Sequence, residues 1–396
     1  MIATLAALSI FAIAAPFVLY PIALFMRARL APDPVSSAPC TPHVDLIICA
    51  HNEAQSIVSK LENALELDYP RELLRIWVAS DGSTDGTVEL ARRFEDRGVV
   101  VLDLPRRGKA HALAAAAEAS RSTDAVESAG TAIMAFSDAN SQWERSALRA
   151  LTAPFADERV GGVAGDQRYL DSAKRSDSAG ERSYWSFDRR LKSWQARAGN
   201  TISATGAIYA IRRILFVPPP ADATDDFMIS TGVIASGKRL VFAEDALAFE
   251  PTASEAAGEF RRKVRIITRG LRAVRYRRAL LNPARTGAYA VELLLHKLWR
   301  RLTWIPVLIL VLLAPACWSA GGGLAVLALI MLAWFGAGAA GLAFPSLRRL
   351  KPIGLSAYVL MVQSACAVAT FNTIRGHRVS HWETERAGVP SQGKQP

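Results

Sequence analysis

The sequence predicts an α/β domain built on a mainly parallel sheet, with apolar helices that could span a membrane before and after it. Between Val44 and Ala164, short apolar runs alternate with stretches of helical periodicity. This alternation is typical of a doubly wound sheet with right-handed crossovers. The central run, Ala132–Phe136, ends in Ser137 and Asp138. Uncharged apolar stretches at both ends of the 396-residue chain are long enough to cross a bilayer.

Residues 1–27 are expected to be a membrane anchor. Met1–Met26 carries no charge, and Arg27 and Arg29 follow it. A cleaved signal peptide is the alternative, but it needs a basic start and a shorter apolar core. Because basic residues concentrate on the cytoplasmic side of spans, we expect the chain from residue 30 onward to be cytoplasmic. Residues 28–43 are proline-rich and are expected to be a linker.

Residues 44–254 are expected to form the α/β domain. Its buried strands are predicted from apolar runs bounded by turn residues, at Val44–Ala50, Leu73–Ala79, Val99–Leu102, Ala132–Phe136 and Val160–Ala164. Helices are predicted between them, and Ser83 or Thr84 is expected to cap the helix that follows the second strand. The segment 123–130 is expected to be a loop.

Two common phosphate-binding motifs are excluded. Gly108-Lys109 is followed by Ala110, and Asp103 stands five positions before Gly108, so the P-loop pattern fails twice. No G-x-G-x-x-G follows a predicted strand. The sequence therefore supports neither a P-loop nucleoside triphosphatase nor a dinucleotide-dependent dehydrogenase.

Asp138 and Asn140 follow the central strand as D-A-N. Ligands of open α/β sheets bind at the carboxyl ends of the strands, and two oxygen-bearing side chains at this spacing suit a hard divalent cation that carries a phosphate. The alternative is that Asp138 caps the helix suggested by Ser141–Leu151.

The chain resembles membrane-bound family 2 glycosyltransferases, which are inverting enzymes of GT-A fold related to cellulose and hyaluronan synthases. The resemblance covers about Val44–Arg300 and rests on motifs in a fixed order: A-H-N-E (Ala50–Glu53), S-D-G-S-T-D-G-T (Ser80–Thr87), R-G-K-A-x-A-L (Arg107–Leu113), F-S-D-A-N (Phe136–Asn140), T-G-A-I-Y-A-I-R-R (Thr205–Arg213), T-D-D-F (Thr224–Phe227) and R-K-V-R (Arg262–Arg265). It implies a GT-A nucleotide-diphospho-sugar transferase domain between an N-terminal transmembrane helix and C-terminal transmembrane helices.

The resemblance assigns a nucleotide-sugar site to particular residues. Glu53 and Asp81 would hydrogen-bond the base and ribose, although Asp81 could instead only hold its own turn. Lys109 would face the phosphates from a helix N-terminus, or could be a solvated surface lysine. The complete expected set is Ala50, Asn52, Glu53, Asp81, Gly108, Lys109, Asp138 and Arg265.

The same resemblance implies a metal and a base. Asp138 and Asn140 would hold Mg²⁺ or Mn²⁺ bridging the diphosphate, with Asn140 in place of the usual second carboxylate. Asp226, beside Asp225, would be the general base that takes the acceptor proton, since adjacent carboxylates can raise one pKa. The alternative is that these acids merely complement a helix dipole.

Residues 255–301 are expected to form basic amphipathic helices at the membrane surface. The segment Glu259–Arg301 contains thirteen Lys or Arg and two Glu, so its charge of +11 equals the net charge of the whole chain. Because this cluster adjoins a membrane stretch, anionic membrane lipids are the expected partner, and not nucleic acid. The segment R-K-V-R-I occupies the place of the synthases' Q-x-x-R-W motif: Arg265 is kept, whereas Arg262 and Ile266 replace Gln and Trp. Because that tryptophan helps processive synthases to hold the growing glycan, the resemblance does not imply processivity here.

Residues 302–374 are expected to be the C-terminal transmembrane region, with stretches at Leu302–Trp318, Leu324–Phe344 and Ile353–Ile374, and 375–396 a polar tail. A full crossing by the last stretch would place its basic flank outside, against the charge rule. It is therefore expected to be re-entrant or to lie against the other helices, with the tail inside; a fourth full span is the alternative.

The expected protein is a multi-pass enzyme of the cell inner membrane whose catalytic domain faces the cytoplasm. It would transfer sugar from a nucleotide-diphospho-sugar, expected to be UDP-linked, to a glycan or lipid-linked acceptor in cell-surface or exopolysaccharide biosynthesis. The alternatives are a processive polysaccharide synthase and a catalytically inactive homologue that acts as an assembly subunit.

Overall fold

A computed structural model of the protein describes residues 1–122, 132–169, 179–251 and 256–377, with the side chains of 179–186 and 256–259 left out. The strands, in chain order, are β1 (Val44–Ala50), β2 (Leu74–Asp81), β3 (Val99–Leu104), β4 (Ile133–Asp138), β5 (Gln142–Trp143), β6 (Val160–Tyr169), β7 (Tyr209–Arg212) and β8 (Arg239–Glu250). They form an eight-stranded sheet in the order β3-β2-β1-β4-β7-β6-β8-β5.

The helices divide into those within the α/β domain or directly after it and those that flank it. The first group is α2 (Ile57–Leu65), α3 (Thr87–Arg92), α4 (Lys109–Ser122), α5 (Ala147–Thr152), α6 (Ala179–Ala198), α7 (Asp225–Ala235) and α8 (Ala256–Tyr276). The second is α1 (Ile2–Leu30), α9 (Ala288–Leu302), α10 (Trp304–Ala320), α11 (Gly322–Ala343) and α12 (Lys351–Ile374).

The sheet is buried on both faces, which explains why its strands are apolar without alternation. Leu46 and Ile48 of β1 pack in one core with α2, whereas Ile47 and Cys49 pack in a second core with α4 and α7. Successive side chains of a strand point to opposite faces, so a strand covered on both sides is apolar at most of its positions. This arrangement places the carboxyl ends of β1, β2 and β4 at one edge of the sheet.

The α/β fold class is confirmed, and the sheet is mainly parallel as expected, since β3, β2, β1, β4, β6 and β8 all run in one direction. β3, β2, β1 and β4 are parallel, whereas β7 is antiparallel to both β4 and β6, and β5 is antiparallel to β8. Neither β7 nor β8 was predicted as a strand. Strand direction and neighbours depend on contacts between residues far apart in sequence, which a local apolar pattern does not report.

The expected helix cap at Ser83 or Thr84 is wrong. Helix α3 begins at Thr87, and the Asp85 carboxylate accepts a hydrogen bond from the Thr87 backbone nitrogen at 3.1 Å. Ser83 and Thr84 instead bond to Asn52. The loop expected at 123–130 and residues 378–396 of the expected tail lie outside the described residues.

In the described part of the chain, α1, α11 and α12 are each long and apolar enough to cross a membrane. Helices α9 and α10 would add a fourth span if counted together, although they meet at a bend of 44°. The structure therefore places candidate membrane helices before and after the sheet, as the sequence predicts.

Helix α12 is unbroken over its 24 residues, so the expected re-entrant form is not present. It does lie against other helices, which was the other half of that expectation. Its polar side chains Gln363 and Thr370 bond Thr303 and Trp304, each at 3.2 Å. Just beyond its end, the His377 carbonyl accepts a hydrogen bond from Arg272 of α8, so this end of α12 lies at the α/β domain.

Candidate active site

The predicted site residues gather at the carboxyl edge of the parallel strands. Asn52 follows β1, Asp81 ends β2 and Asp138 ends β4, and the helix N-termini that carry Lys109 and Asp225 close in on the same edge. Parallel strands and their crossover connections bring these chain segments, far apart in sequence, to one place.

Asp81 fixes the turn that precedes Lys109. Its Oδ1 accepts hydrogen bonds from the backbone nitrogens of Arg107 and Gly108, both at 2.8 Å, and its Oδ2 accepts from Gly108 at 3.0 Å. Gly108 has a φ of +95°, which favours glycine. Asp81 thus holds the R-G-K turn rather than its own turn.

Asn52 and Glu53 connect the loop after β1 to the loop after β2. Asn52, with a φ of +54°, accepts a hydrogen bond from the Thr84 backbone nitrogen at 2.8 Å. The backbone nitrogen of Glu53 donates to the Thr87 hydroxyl at 2.8 Å, and the Glu53 carboxylate accepts from Ser56. These contacts hold the two loops together beside Ala50, the buried last residue of β1.

Lys109 is the central cation of the site. Its ammonium lies 2.6 Å from Asp138 Oδ1 and 3.0 Å from Asp225 Oδ2. Burial opposes the charged form, but the two carboxylates outweigh it and hold the pKa of Lys109 well above its usual value. Lys109 therefore stays charged and joins the end of β4 to the start of α7; it is not a solvated surface lysine.

Asp225 and Asp226 begin α7 and have pKa values that are pushed apart. Burial raises the pKa of Asp225, but the Lys109 ammonium outweighs it and the pKa is lowered. Burial, and then the charge of Asp225, raises the pKa of Asp226 to about 6. Two carboxyl groups with separated pKa values can take different roles, one ionised partner and one group able to accept or give a proton near neutral pH.

A divalent cation fits this edge only together with a phosphate ligand. In the described ranges, no cluster of three or more His, Cys, Asp or Glu side chains could hold a metal ion. Asp138 and Asn140 supply one carboxylate and one amide oxygen, ligands of the kind Mg²⁺ and Mn²⁺ accept. Gly206 lies against Asp138, and a Cβ there would come within 2.7 Å of Asp138 Oδ2. A side chain at position 206 would therefore collide with this carboxylate.

Sequence reasoning singled out Arg265, which is half-buried on α8, but it missed the arginine one turn later. Arg269 donates to the Ala223 carbonyl in the loop before the two acids, and its charge lowers the pKa of Asp225. Arg272, on the following turn, pairs with Asp222 at 3.1 Å. The spacing of Arg265, Arg269 and Arg272 matches one helix face and is the signal that could have revealed them.

Sequence reasoning also missed a buried polar group behind Asp138, formed by Lys60, Ser141 and Glu250. The exposed fraction of these residues is 1 %, 0 % and 8 %. Burial, and then the charge of Asp138, raises the pKa of Glu250 to about 7. No motif contains Lys60 or Glu250, which are far apart in sequence, and only the pairing of β5 with β8 brings Glu250 to Ser141.

Known proteins resemble this chain in sequence and in fold. Residues 45–217 match the family model described as Glycosyl transferase family 2. Probable glycosyltransferase YdaM of Bacillus subtilis is 30 % identical over 138 residues, which cover 34 % of this chain and 31 % of that protein. Glycosyltransferase AglE of Haloferax volcanii is 30 % identical over 128 residues, covering 31 % and 39 %. The matched part thus spans about a third of the length of these relatives.

A solved structure, Mannosyltransferase PcManGT from Pyrobaculum calidifontis in complex with GDP-Man and Mn²⁺, has a TM-score of 0.68 to this chain at 24 % identity. The alignment covers 94 % of this chain and 100 % of that one, so the shared fold includes the helices that flank the sheet. Residues 45–217 thus resemble family 2 glycosyltransferases in sequence, and the chain has a GT-A-like fold framed by apolar helices that could span a membrane.

Proposed function

We propose that this protein is a membrane-bound inverting glycosyltransferase that moves a sugar from a nucleotide-diphospho-sugar to a glycan or lipid-linked acceptor. The observation that carries the proposal is the contact of Lys109 with both Asp138 and Asp225. This contact joins the residues suited to a diphosphate to the pair of acids suited to proton transfer. In the proposed reaction, an acceptor hydroxyl attacks the sugar and the diphosphate leaves. The groups that bind the diphosphate and the group that takes the proton must therefore lie within one sugar's length of each other.

In the proposed donor site, Glu53 and Asp81 accept hydrogen bonds from the nucleoside, and Asn52 and Gly108 shape the backbone around it. Lys109 and the N-terminus of α4 face the diphosphate. Asp138 and Asn140 would hold Mg²⁺ or Mn²⁺, which supplies positive charge to the leaving diphosphate. Arg269 brings further positive charge to the loop before Asp225, and Arg265, one turn earlier on α8, would contact the donor.

The proposed base is Asp226. As the acceptor oxygen bonds to the anomeric carbon, the C–O bond to the diphosphate breaks, and Asp226 accepts the hydroxyl proton. A single attack from the face opposite the leaving group inverts the anomeric configuration. Asp225 remains ionised against Lys109 and thereby keeps the pKa of Asp226 high enough for it to act as a base near neutral pH.

The proposed location is the inner membrane of a bacterial cell, with the catalytic domain in the cytoplasm. Arg27 and Arg29 at the end of α1, and the basic segment 255–301, favour that side. The separated pKa values of Asp225 and Asp226 favour an active enzyme over an inactive assembly subunit, since they are the electrostatic arrangement that proton transfer requires.

The test is release of nucleoside diphosphate by purified protein in lipid nanodiscs, with Mn²⁺ and a panel of UDP-sugars and GDP-sugars. GDP-mannose belongs in the panel because the similar solved structure holds it. Release with one donor that is enhanced by membrane extract as acceptor source supports the proposal. No binding of any donor, measured by calorimetry across the panel, would overturn it.

A further inference from the structure

The turn that carries Asp138 and Asn140 is held from behind by a buried polar group. The turn is closed by a hydrogen bond from the Ser141 backbone nitrogen to the Asp138 carbonyl, at 3.2 Å. The next two residues, Gln142 and Trp143, form β5 and pair with Phe249 and Ala248 of β8, directly before Glu250. Asp138 and Asn140 therefore stand between the end of β4 and a segment fixed to β8.

Ser141 lies at the centre of the group. Its hydroxyl donates to Glu250 Oε1, and its carbonyl accepts from the ammonium of Lys60 at 2.7 Å. Glu250 Oε2 accepts from Gln167 Nε2 at 2.6 Å. The hydroxyl and the backbone carbonyl of Ser141 are thus each hydrogen-bonded to a side chain from another element, Glu250 of β8 and Lys60 of α2 respectively.

The chain keeps this group although burying it is costly. An ionisable group taken out of water without partners is destabilised by several kcal/mol, and Lys60 and Glu250 are almost completely buried. Their described hydrogen bonds converge on the turn and on the strand beside it. Simple core filling would be served better by apolar residues, so the arrangement points to a requirement for a fixed turn.

We propose that Glu250 is a positioning residue, which acts through Ser141 and together with Lys60 to hold Asn140 and Asp138 in the orientation that binds the cation–diphosphate part of the donor. This inference rests on the proposed function. Asn140 is a weaker cation ligand than a carboxylate, so it depends more on being held in the correct orientation. Groups that orient ligands in this way typically change metal affinity about 10-fold to 100-fold when removed.

The experiment uses the full chain in nanodiscs and four variants. Ser141→Ala and Glu250→Leu remove the hydroxyl–carboxylate contact, whereas Glu250→Gln keeps the size and an oxygen acceptor for Ser141. Ser120→Ala is the matched control, since Ser120 is equally buried and its hydroxyl bonds Ala117 in α4. The probes are Mn²⁺ with UDP and Mn²⁺ with GDP.

Three readouts are measured. The first is hydrogen exchange of the backbone amides from residue 138 to 143, which needs no nucleotide and should become at least roughly 10-fold faster in Ser141→Ala and Glu250→Leu only. The second is the Mn²⁺ concentration for half-maximal nucleotide binding, which should rise about 10-fold in the same two variants and stay within about threefold in Glu250→Gln. In turnover, KM for the donor should rise more than kcat falls.

Unchanged exchange in the turn of Ser141→Ala would overturn the inference, whatever the protein binds. An equal loss in Glu250→Gln and Glu250→Leu would overturn the hydrogen-bonding role of Glu250. If the wild type binds no nucleotide while its turn behaves as predicted, the proposed function fails and the positioning of this turn for a diphosphate fails with it. If the wild type binds nucleotide and the variants bind equally well, only the positioning inference fails.

Discussion

At the residue scale, the two neighbouring carboxyl groups at the start of α7 differ in their surroundings. Asp225 lies against the Lys109 ammonium, whereas the Asp226 carboxylate accepts a hydrogen bond from the next backbone nitrogen, that of Phe227, at 2.7 Å. The negative charge of Asp225 then adds to the effect of burial on Asp226. Asp226, the proposed base, therefore has the higher pKa of the two carboxyl groups.

Replacing that base tests its role directly. We expect Asp226→Asn to leave donor binding nearly unchanged and to reduce kcat by about two to four orders of magnitude, the usual contribution of general acid–base catalysis. Asp245→Asn, at an exposed aspartate of β8, is the control and should behave as wild type. Donor binding is measured by calorimetry and kcat by nucleotide release. Turnover of Asp226→Asn close to that of wild type would assign the base elsewhere.

The pH dependence follows from the raised pKa of Asp226. A base must be unprotonated to accept a proton, so activity is low below its pKa and rises as the pH rises through it. With a pKa of about 6, kcat/KM should increase about tenfold per pH unit below pH 6 and level off above it. The rate of nucleotide release, measured in buffers of constant ionic strength, tests this rise of kcat/KM with pH. A profile that stays flat down to pH 5 would contradict the assignment.

The amide at Asn140 makes a separate prediction about the cation. A chelator should abolish nucleotide-dependent turnover, and Asn140→Asp should lower the Mn²⁺ concentration needed for half-maximal binding. A charge added beside a cation is worth about 1 kcal/mol even in solvent-like surroundings, or roughly a several-fold change in affinity. Titration of Mn²⁺ at fixed nucleotide measures it. Full activity in excess chelator would mean that Lys109 and the helix N-termini neutralise the diphosphate alone.

At the scale of elements, the loops after β2 and β3 are packed so closely that one glycine has no substitute. Gly82 has a φ of +62°, and a Cβ there would stand 2.7 Å from the backbone nitrogen and Cβ of Arg106. Its neighbour Asp81 binds Arg107 and Gly108, the following residues of the same turn. The position of Lys109 therefore depends on close contact between two loops.

We expect Gly82→Ala to displace this turn and weaken nucleotide binding. Gly86→Ala is the matched control, because Gly86 has a φ of +87° and nothing within 4 Å of its would-be Cβ. Both variants carry the left-handed backbone cost of about 1–2 kcal/mol, so both should lose stability, measured as Tm. Only Gly82→Ala should also lose affinity for UDP or GDP beyond that. Equal affinities in the two variants would show that the contact with Arg106 has no effect on the site.

At the scale of the whole molecule, the last apolar helix lies against the α/β domain. The Lys263 ammonium of α8 lies 3.4 Å from the Tyr358 hydroxyl near the start of α12, and Arg272 further along α8 bonds His377 just after its end. Helices α8 and α12 thus run side by side in the same direction. Because Arg272 also pairs with Asp222 in the loop before Asp225, His377 lies near the candidate active site.

This arrangement predicts that the residues after α12 lie on the same side of the membrane as the catalytic domain. A cysteine at Ser391 should therefore resist a membrane-impermeant thiol reagent in intact cells and react after lysis. A cysteine at Ser319, at the end of α10 away from the domain, is the comparison and should react without lysis. Labelling of the Ser391→Cys variant in intact cells would mean that α12 crosses the membrane completely.

Sequence alone determined the features that depend on local pattern. Mostly apolar runs identified β1, β2 and β4, because a strand covered on both faces is apolar at most of its positions. Asp138, near the end of its run, was assigned to the site because strand ends share an edge, whereas Asp81 was assigned because its motif resembles that of family 2 glycosyltransferases. Apolar length without charge likewise located α1, α10 and α11 to within a few residues.

Only the tertiary structure decided which of these side chains are in contact and which partner each of them binds. The antiparallel pairing of β5 with β8 brings Glu250 to Ser141, and the crossover to α7 brings Asp225 to Lys109. Such contacts join residues about a hundred positions apart, and they are selected by the packing of whole elements. The local period of a sequence reports which face of an element is buried, but it contains no information on which distant element will cover that face.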